Sequence, residues 1–130
     1  MSLLINNAGL MSPGCFDEMP ITKLIDMLDV NVTHNVMMTK KFLKKMTDRN
    51  QRSGIINVSS TMGFSPFAGQ AVYAATKVFV NFFTEAVAYE LKDKIDVLCY
   101  TPSAIDTNLN HSNSNSEIIK SGALSPSICV

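Results

Sequence analysis

Apolar positions along the chain fall into blocks whose period alternates between strand-like and helical. The first block, "LLIN" from Leu3, is a short apolar run that passes at once into the polar and small "NAG", and it predicts a buried strand. A loop with Pro13, Gly14 and Pro20 follows, after which Thr22 is placed to cap a helix beginning near Lys23. Apolar residues then recur at Ile25, Leu28, Val32 and Val36, and again at Phe42, Leu43 and Met46. This is helical spacing over about twenty residues, with lysines gathered in the last turns, where they favour a helix C-terminus.

After the polar turn "DRNQRSG", the run "IINVSS" is rich in β-branched residues and predicts a second buried strand ending at Ser59 and Ser60. The loop "TMGFSPFAG" leads to renewed helical spacing from Ala71 to about Asp93, through Val72, Ala75, Phe79, Phe82, Phe83, Ala86, Val87 and Leu91. "IDVLCYT" is a third strand, stopped by Pro102. The remainder begins as a Ser/Asn-rich stretch, with 108–117 expected to form a flexible loop, and ends in a short helical segment.

Strand, helix, strand, helix, strand with crossovers of this length implies βαβ units, and therefore an α/β fold on a parallel sheet. Loops that follow the strands of such sheets line the ligand crevice. The polar residues of interest, Asn6 with Asn7, Ser59 with Ser60, and Thr107, all fall just after predicted strands.

Composition narrows the classes. At 130 residues one domain is expected, since a second core would be hard to build. The formal net charge is zero, and the basic block "KKFLKK" has the spacing of a solvated helix face, so no nucleic-acid partner is expected. No apolar run approaches the ~20 residues that span a bilayer, and the first residues do not read as a signal peptide. Three widely spaced cysteines fit neither a disulfide framework nor a metal pattern, which points to reduced thiols and an intracellular, cytoplasmic chain. Attachment to an endoplasmic reticulum membrane stays open for a longer parent. His34 and His111 have no partner at ligand spacing, so no metal site is expected.

The candidate chemistry sits in "SSTMGFSPFAGQAVYAATK". Tyr73 and Lys77 are four apart at the start of a predicted helix and so share a face. A tyrosine is a poor base at its usual pKa near ~10. A neighbouring ammonium favours the phenolate and would bring that pKa toward neutrality, with a smaller push from the helix N-terminus. Ser60 could return beside the phenol and donate to a substrate oxygen as charge develops there. A Tyr-x-x-x-Lys pair alone fits an ordinary amphipathic helix equally well.

The combination of motifs resembles the short-chain dehydrogenases/reductases. "NNAG" at Asn6 to Gly9 is similar to the signature that follows the fourth strand of that family, which implies cofactor contacts at Asn7, Ala8 and Gly9. "VNV" resembles the segment bearing the family's catalytic asparagine, here Asn31, whose implied role is to hold a water linking the lysine to solvent. "NVSS" followed by "YAATK" matches the serine and Tyr-x-x-x-Lys signatures, and the spacing selects Ser60 over Ser59. "TPSAIDT" is similar to the segment that contacts the nicotinamide carboxamide, implying roles for Pro102, Ile105 and Thr107, with Ser103 where the family usually has glycine. A weaker similarity points to the hydroxysteroid dehydrogenase and very-long-chain 3-oxoacyl-CoA reductase branch.

The resemblance implies catalytic Asn31, Ser60, Tyr73 and Lys77, with Tyr73 and Lys77 also touching the cofactor. That cofactor is NADP or NAD, with NADP favoured, and the substrate is a small ketone or alcohol. It also implies a homodimer or tetramer through the two long helices. Read beside individual residues, Asn31 could instead be a buried helix polar group bonded to backbone, Thr107 an N-cap, and Ser59 a structural hydroxyl.

None of the six glycines forms the glycine-rich turn that cradles a dinucleotide pyrophosphate. The expectation is the C-terminal part of a Rossmann-type doubly wound parallel sheet, three parallel strands with two long helices, missing the first three strands. "LLIN" would then be a sheet edge with uncovered apolar faces. An oxidoreductase seen as its catalytic half, weak or inactive by itself, is the first reading. A non-catalytic remnant that acts by association is the alternative.

Overall fold

The computed structural model describes residues 2–49 and 51–103. Three strands, β1 (Leu3–Asn6), β2 (Gly54–Val58) and β3 (Asp96–Tyr100), form one parallel sheet in the order β1-β2-β3. Leu3 pairs with Gly54 and Asn6 with Asn57, while Asn57 in turn pairs with Cys99. The sheet carries α-helical crossovers, and the architecture is the α/β, Rossmann-like one expected.

In-register parallel pairing puts paired residues on the same face of the sheet. Leu4, Asn6, Ile55 and Asn57 are buried on one face, beneath the helices α2 (His34–Thr47) and α3 (Ala71–Leu91). Leu4, Ile55, Met46, Leu91 and Ile95 make the core, with Phe42, Leu43, Val87 and Val97 packed against it. The opposite face carries Leu3 and Ile5, 50% and 53% exposed, and Leu98 and Tyr100. β1 and β3 are the two edges among the described strands.

Two local expectations differ from what is found. Pro20, not Thr22, occupies the N-cap of α1 (Ile21–Leu28), and no side chain caps it. Its carbonyl instead takes the Lys23 and Leu24 amides at 3.0 and 3.3 Å, as suits a residue that has no N–H to satisfy. The first long helix is also not uniform. A π-helical turn, Asp29–Thr33, joins α1 to α2. The widened turn absorbs one residue, so Met27, Asn31, Asn35 and Thr39, each four apart, all stay buried on one side.

That line also sets what the helix buries. The first part of the apolar stripe does not face the sheet: Ile25 and Leu28 are exposed and the buried line there is largely amide and hydroxyl, while Phe42, Leu43 and Met46 further along pack into the core. A similar inversion holds on the first turns of α3, before Val87 and Leu91 join the core. Tyr73, Thr76, Lys77 and Thr84 are buried beside Ala74 and Val80, while Phe79 and Phe82 lie outward. No helix among the described residues is long and apolar enough to cross a membrane.

Candidate active site

The inward polar residues converge above the carboxyl ends of β1 and β2. Asn6 and Asn57 are neighbours in the sheet, and their side chains continue the pairing: Asn6 Nδ2 donates to Asn57 Oδ1 at 2.7 Å and to Thr39 Oγ1 at 3.1 Å. Asn57 Nδ2 then donates to Thr84 Oγ1 at 3.0 Å, and Thr84 donates onward to the Val80 carbonyl. Every group in this chain is buried, so each bond offsets a desolvation that would otherwise destabilise the fold. The ladder ties α2 and α3 to the strand ends. Asn57 and Thr84 were not singled out from the sequence; the signal available was an asparagine inside a β-branched strand, which apolar patterning passes over.

One layer further along, Asn31 joins three elements. Its Oδ1 accepts from the Leu10 amide at 2.8 Å, and its Nδ2 donates to the Leu10 carbonyl at 2.9 Å and to Thr76 Oγ1 at 3.0 Å. The loop after β1 is thereby fastened to the π turn and to α3. Asn31 is fully buried and bonded to backbone, and its side-chain amide has no donor left for a water. A Cβ built on Gly9 would lie 3.6 Å from both Asn31 Oδ1 and Lys77 Nζ, which places the loop of Asn7, Ala8 and Gly9 directly against the pair.

Lys77 is 4% exposed. Its Nζ donates to the Val58 carbonyl at 3.2 Å and stands 5.5 Å from the centre of the Tyr73 ring. Burial brings the Lys77 pKa down from 10.5 to about 8, opposed by attraction to Cys99, so the amine remains mostly charged at neutral pH. Burial acts on Tyr73 in the other direction and raises its pKa, while a hydrogen bond with Ser60 lowers it. The expectation that Lys77 would bring the phenol toward neutrality is therefore not met in this chain. Burial of the phenol outweighs the Ser60 hydrogen bond, and the resting phenol keeps its proton.

The two serines separate by role. Ser59 Oγ donates to the Lys77 carbonyl at 2.9 Å and so pins α3 to the end of β2. Ser60 caps the 3-10 turn Thr61–Phe64, accepting from the Met62 amide at 3.2 Å, and meets Tyr73. That turn presses on α3 through Gly63, where an added Cβ would fall 2.7 Å from Asn81 Nδ2 and 3.0 Å from the Lys77 backbone. A side chain there would force Asn81 aside and press on the α3 backbone. The Thr61 amide also donates to the Pro102 carbonyl at 3.0 Å, bringing the end of β3 to the same place.

Ser60, Tyr73, Lys77 and Asn31 thus gather with Asn7, Ala8, Gly9 and Pro102 at one rim of the sheet, while Ile105, Thr107 and the 108–117 segment lie outside the described residues. Chemically the rim holds a protonated phenol with a hydroxyl at its oxygen, a buried ammonium with donors to spare, and open backbone. Among the described residues no group of three or more histidine, cysteine or acidic side chains could hold a metal ion.

Comparison with known proteins bears on the family and the fold. The family model described as short chain dehydrogenase matches residues 1–118. Benzil reductase ((S)-benzoin forming) of Bacillus cereus is 31% identical over 110 residues, covering 82% of this chain and 44% of the relative. A 3-oxoacyl-[acyl-carrier-protein] reductase of Aquifex aeolicus is 34% identical over 111 residues, covering 84% and 44%. The chain therefore spans less than half the length of these curated relatives. Among solved structures, a 3-ketoacyl-(acyl-carrier-protein) reductase of Brucella melitensis complexed with NADH superposes with a TM-score of 0.84 at 29% identity, over 96% of this chain and 55% of that one. A 7β-hydroxysteroid dehydrogenase superposes with a TM-score of 0.82 at 29% identity, over 99% and 51%.

Proposed function

The chain belongs to the short chain dehydrogenase family, and from that premise we propose that it is the catalytic part of an oxidoreductase interconverting a ketone and a secondary alcohol with NADP or NAD. The observation that carries this reading is the buried Tyr73 phenol between Ser60 and Lys77 at the strand ends. The residues fit a nicotinamide dinucleotide. Lys77 spends one N–H on Val58 and keeps others for hydroxyl acceptors, and Gly9 leaves no side chain in between. Asn7, Ala8, Gly9, Tyr73, Lys77 and Pro102 would hold it, and when bound it supplies or accepts the hydride.

Each side chain then has a task. Ser60 orients the substrate oxygen by hydrogen bonding and stabilises charge that develops on it. Tyr73, kept protonated by burial, is poised to donate its proton to that oxygen as the ketone is reduced, and takes it back in the reverse direction. The Lys77 charge stabilises the phenolate left behind. Asn31 holds the loop after β1 against Lys77. Ketones of the steroid or 3-oxoacyl kind, or similar, are the substrate class we favour, in keeping with the relatives named above.

Because none of its glycines makes a pyrophosphate turn, we expect weak dinucleotide affinity from these 130 residues. The outward apolar faces of α1 and α3, with Ile21, Ile25, Phe79 and Phe82 exposed, support association of two copies through the long helices. The test of function is consumption of NADPH or NADH at millimolar concentration against a panel of ketones. Tyr73→Phe should lower turnover by about a hundredfold or more, with dinucleotide binding retained. Unchanged turnover in that variant would sink the reading.

A further inference from the structure

Among the described residues three buried side-chain atoms lack a hydrogen-bond partner: His34 Nδ1, Asn35 Oδ1 and Gln70 Oε1. His34 and Gln70 are partly exposed, whereas Asn35 is 1% exposed. Asn35 stands one turn beyond Asn31, where the π turn gives way to α2. Its Nδ2 donates to the Asn31 main-chain carbonyl at 2.9 Å. That bond fixes which way the amide points, since turning it over would set Oδ1 against another acceptor. Oδ1 is therefore the atom left over, in a packed interior where an acceptor without a donor destabilises the fold.

The ordinary remedy for such an atom is a buried water. Asn31 offers no alternative on its side chain, whose oxygen and amide are engaged by Leu10 and Thr76. We propose that Asn35 is a positioning residue and a water site: its Nδ2 anchors the Asn31 carbonyl at the widened turn, and its Oδ1 accepts from a buried water lodged there. The local geometry stands by itself, while its meaning for catalysis rests on the dehydrogenase reading. In that reading the water expected at Asn31 is held through Asn35, and Asn31 itself acts as the clamp on the loop after β1.

Nuclear magnetic resonance on the full ¹⁵N-labelled chain tests this without requiring turnover. A cross-peak between the Asn35 side-chain amide and a long-lived water is expected. Asn35→Leu, close in size but without a side-chain amide to report the water, should speed solvent exchange at the Asn31 side-chain amide by about tenfold or more, as when a buried bond opens locally. Asn35→Asp should restore the slow Asn31 exchange, because a buried carboxyl stays protonated and can donate to the Asn31 carbonyl while still accepting from water. Absence of the water signal in the wild-type chain overturns the proposal whether or not either variant folds, and so does unchanged Asn31 exchange in Asn35→Leu. A chain that shows the water while Tyr73→Phe leaves turnover unchanged contradicts the proposed function and leaves this inference standing.

Discussion

Replacing Lys77 by methionine isolates the cost of keeping an ammonium inside this fold. The folded Lys77 has a pKa of about 8 against an ordinary 10.5, with burial as the first cause. Between those values the unfolded chain holds a proton that the folded chain has released, so the unfolded state binds more protons and stability rises with pH. The full difference is worth about 3 kcal/mol at most, from about 1.4 kcal/mol per pKa unit. Tyr73 and Cys99 act in the opposite sense. Burial raises both, so their unfolded forms lose protons first and stability falls as pH climbs through their unfolded values. The raw curve mixes these trends, and the methionine variant, which retains the other two, separates them. Lys77→Met should be the more stable protein near neutrality, with its advantage shrinking by up to about 3 kcal/mol as pH rises from about 7 to about 10. Urea unfolding followed by circular dichroism under reducing conditions measures it at each pH. A gap that stays constant, or widens with pH, would show that the buried amine is not the group described.

Three further perturbations follow from the same geometry. Gly63→Ala should destabilise the fold by about 1–3 kcal/mol, because the new methyl meets the Lys77 backbone at 3.0 Å; thermal unfolding reads the loss, and an unchanged midpoint refutes the close approach. Asn57→Leu leaves the Asn6 amide with one acceptor fewer and Thr84 with no donor from Asn57, so a loss of about 1–3 kcal/mol is expected in urea. Phe82→Asp places a charge on a side chain 72% exposed in this chain. It should leave the folded spectrum intact and abolish association in sedimentation; a dimer that persists would rule out this face of α3 as the contact.

Much of this protein is legible in its sequence. Each strand is a short run rich in apolar residues, and the alternation of those runs with helical spacing leaves few alternatives to a parallel sheet. Tyr73 and Lys77 also share a face by helix geometry alone, and Ser60 is placed at a strand end by the turn that follows "IINV". The limits of helices were less readable. Pro20 begins α1 through its carbonyl, a role its sequence position does not advertise, and the π turn at Asp29–Thr33 has no apolar period to betray it.

Tertiary structure alone decided which face of each helix is inside. Periodicity identifies an apolar stripe but carries no information on what the stripe meets. Here the sheet ends present asparagines, so Asn31, Asn35, Thr39, Thr76 and Thr84 turn inward to satisfy them and one another, and Ile25, Phe79 and Phe82 turn outward. The proton state of the site was decided in the same way. Sequence places a lysine four residues after a tyrosine, but how far each is withdrawn from water is set by the strands, loops and turn packed around them, and that withdrawal sets both pKa values.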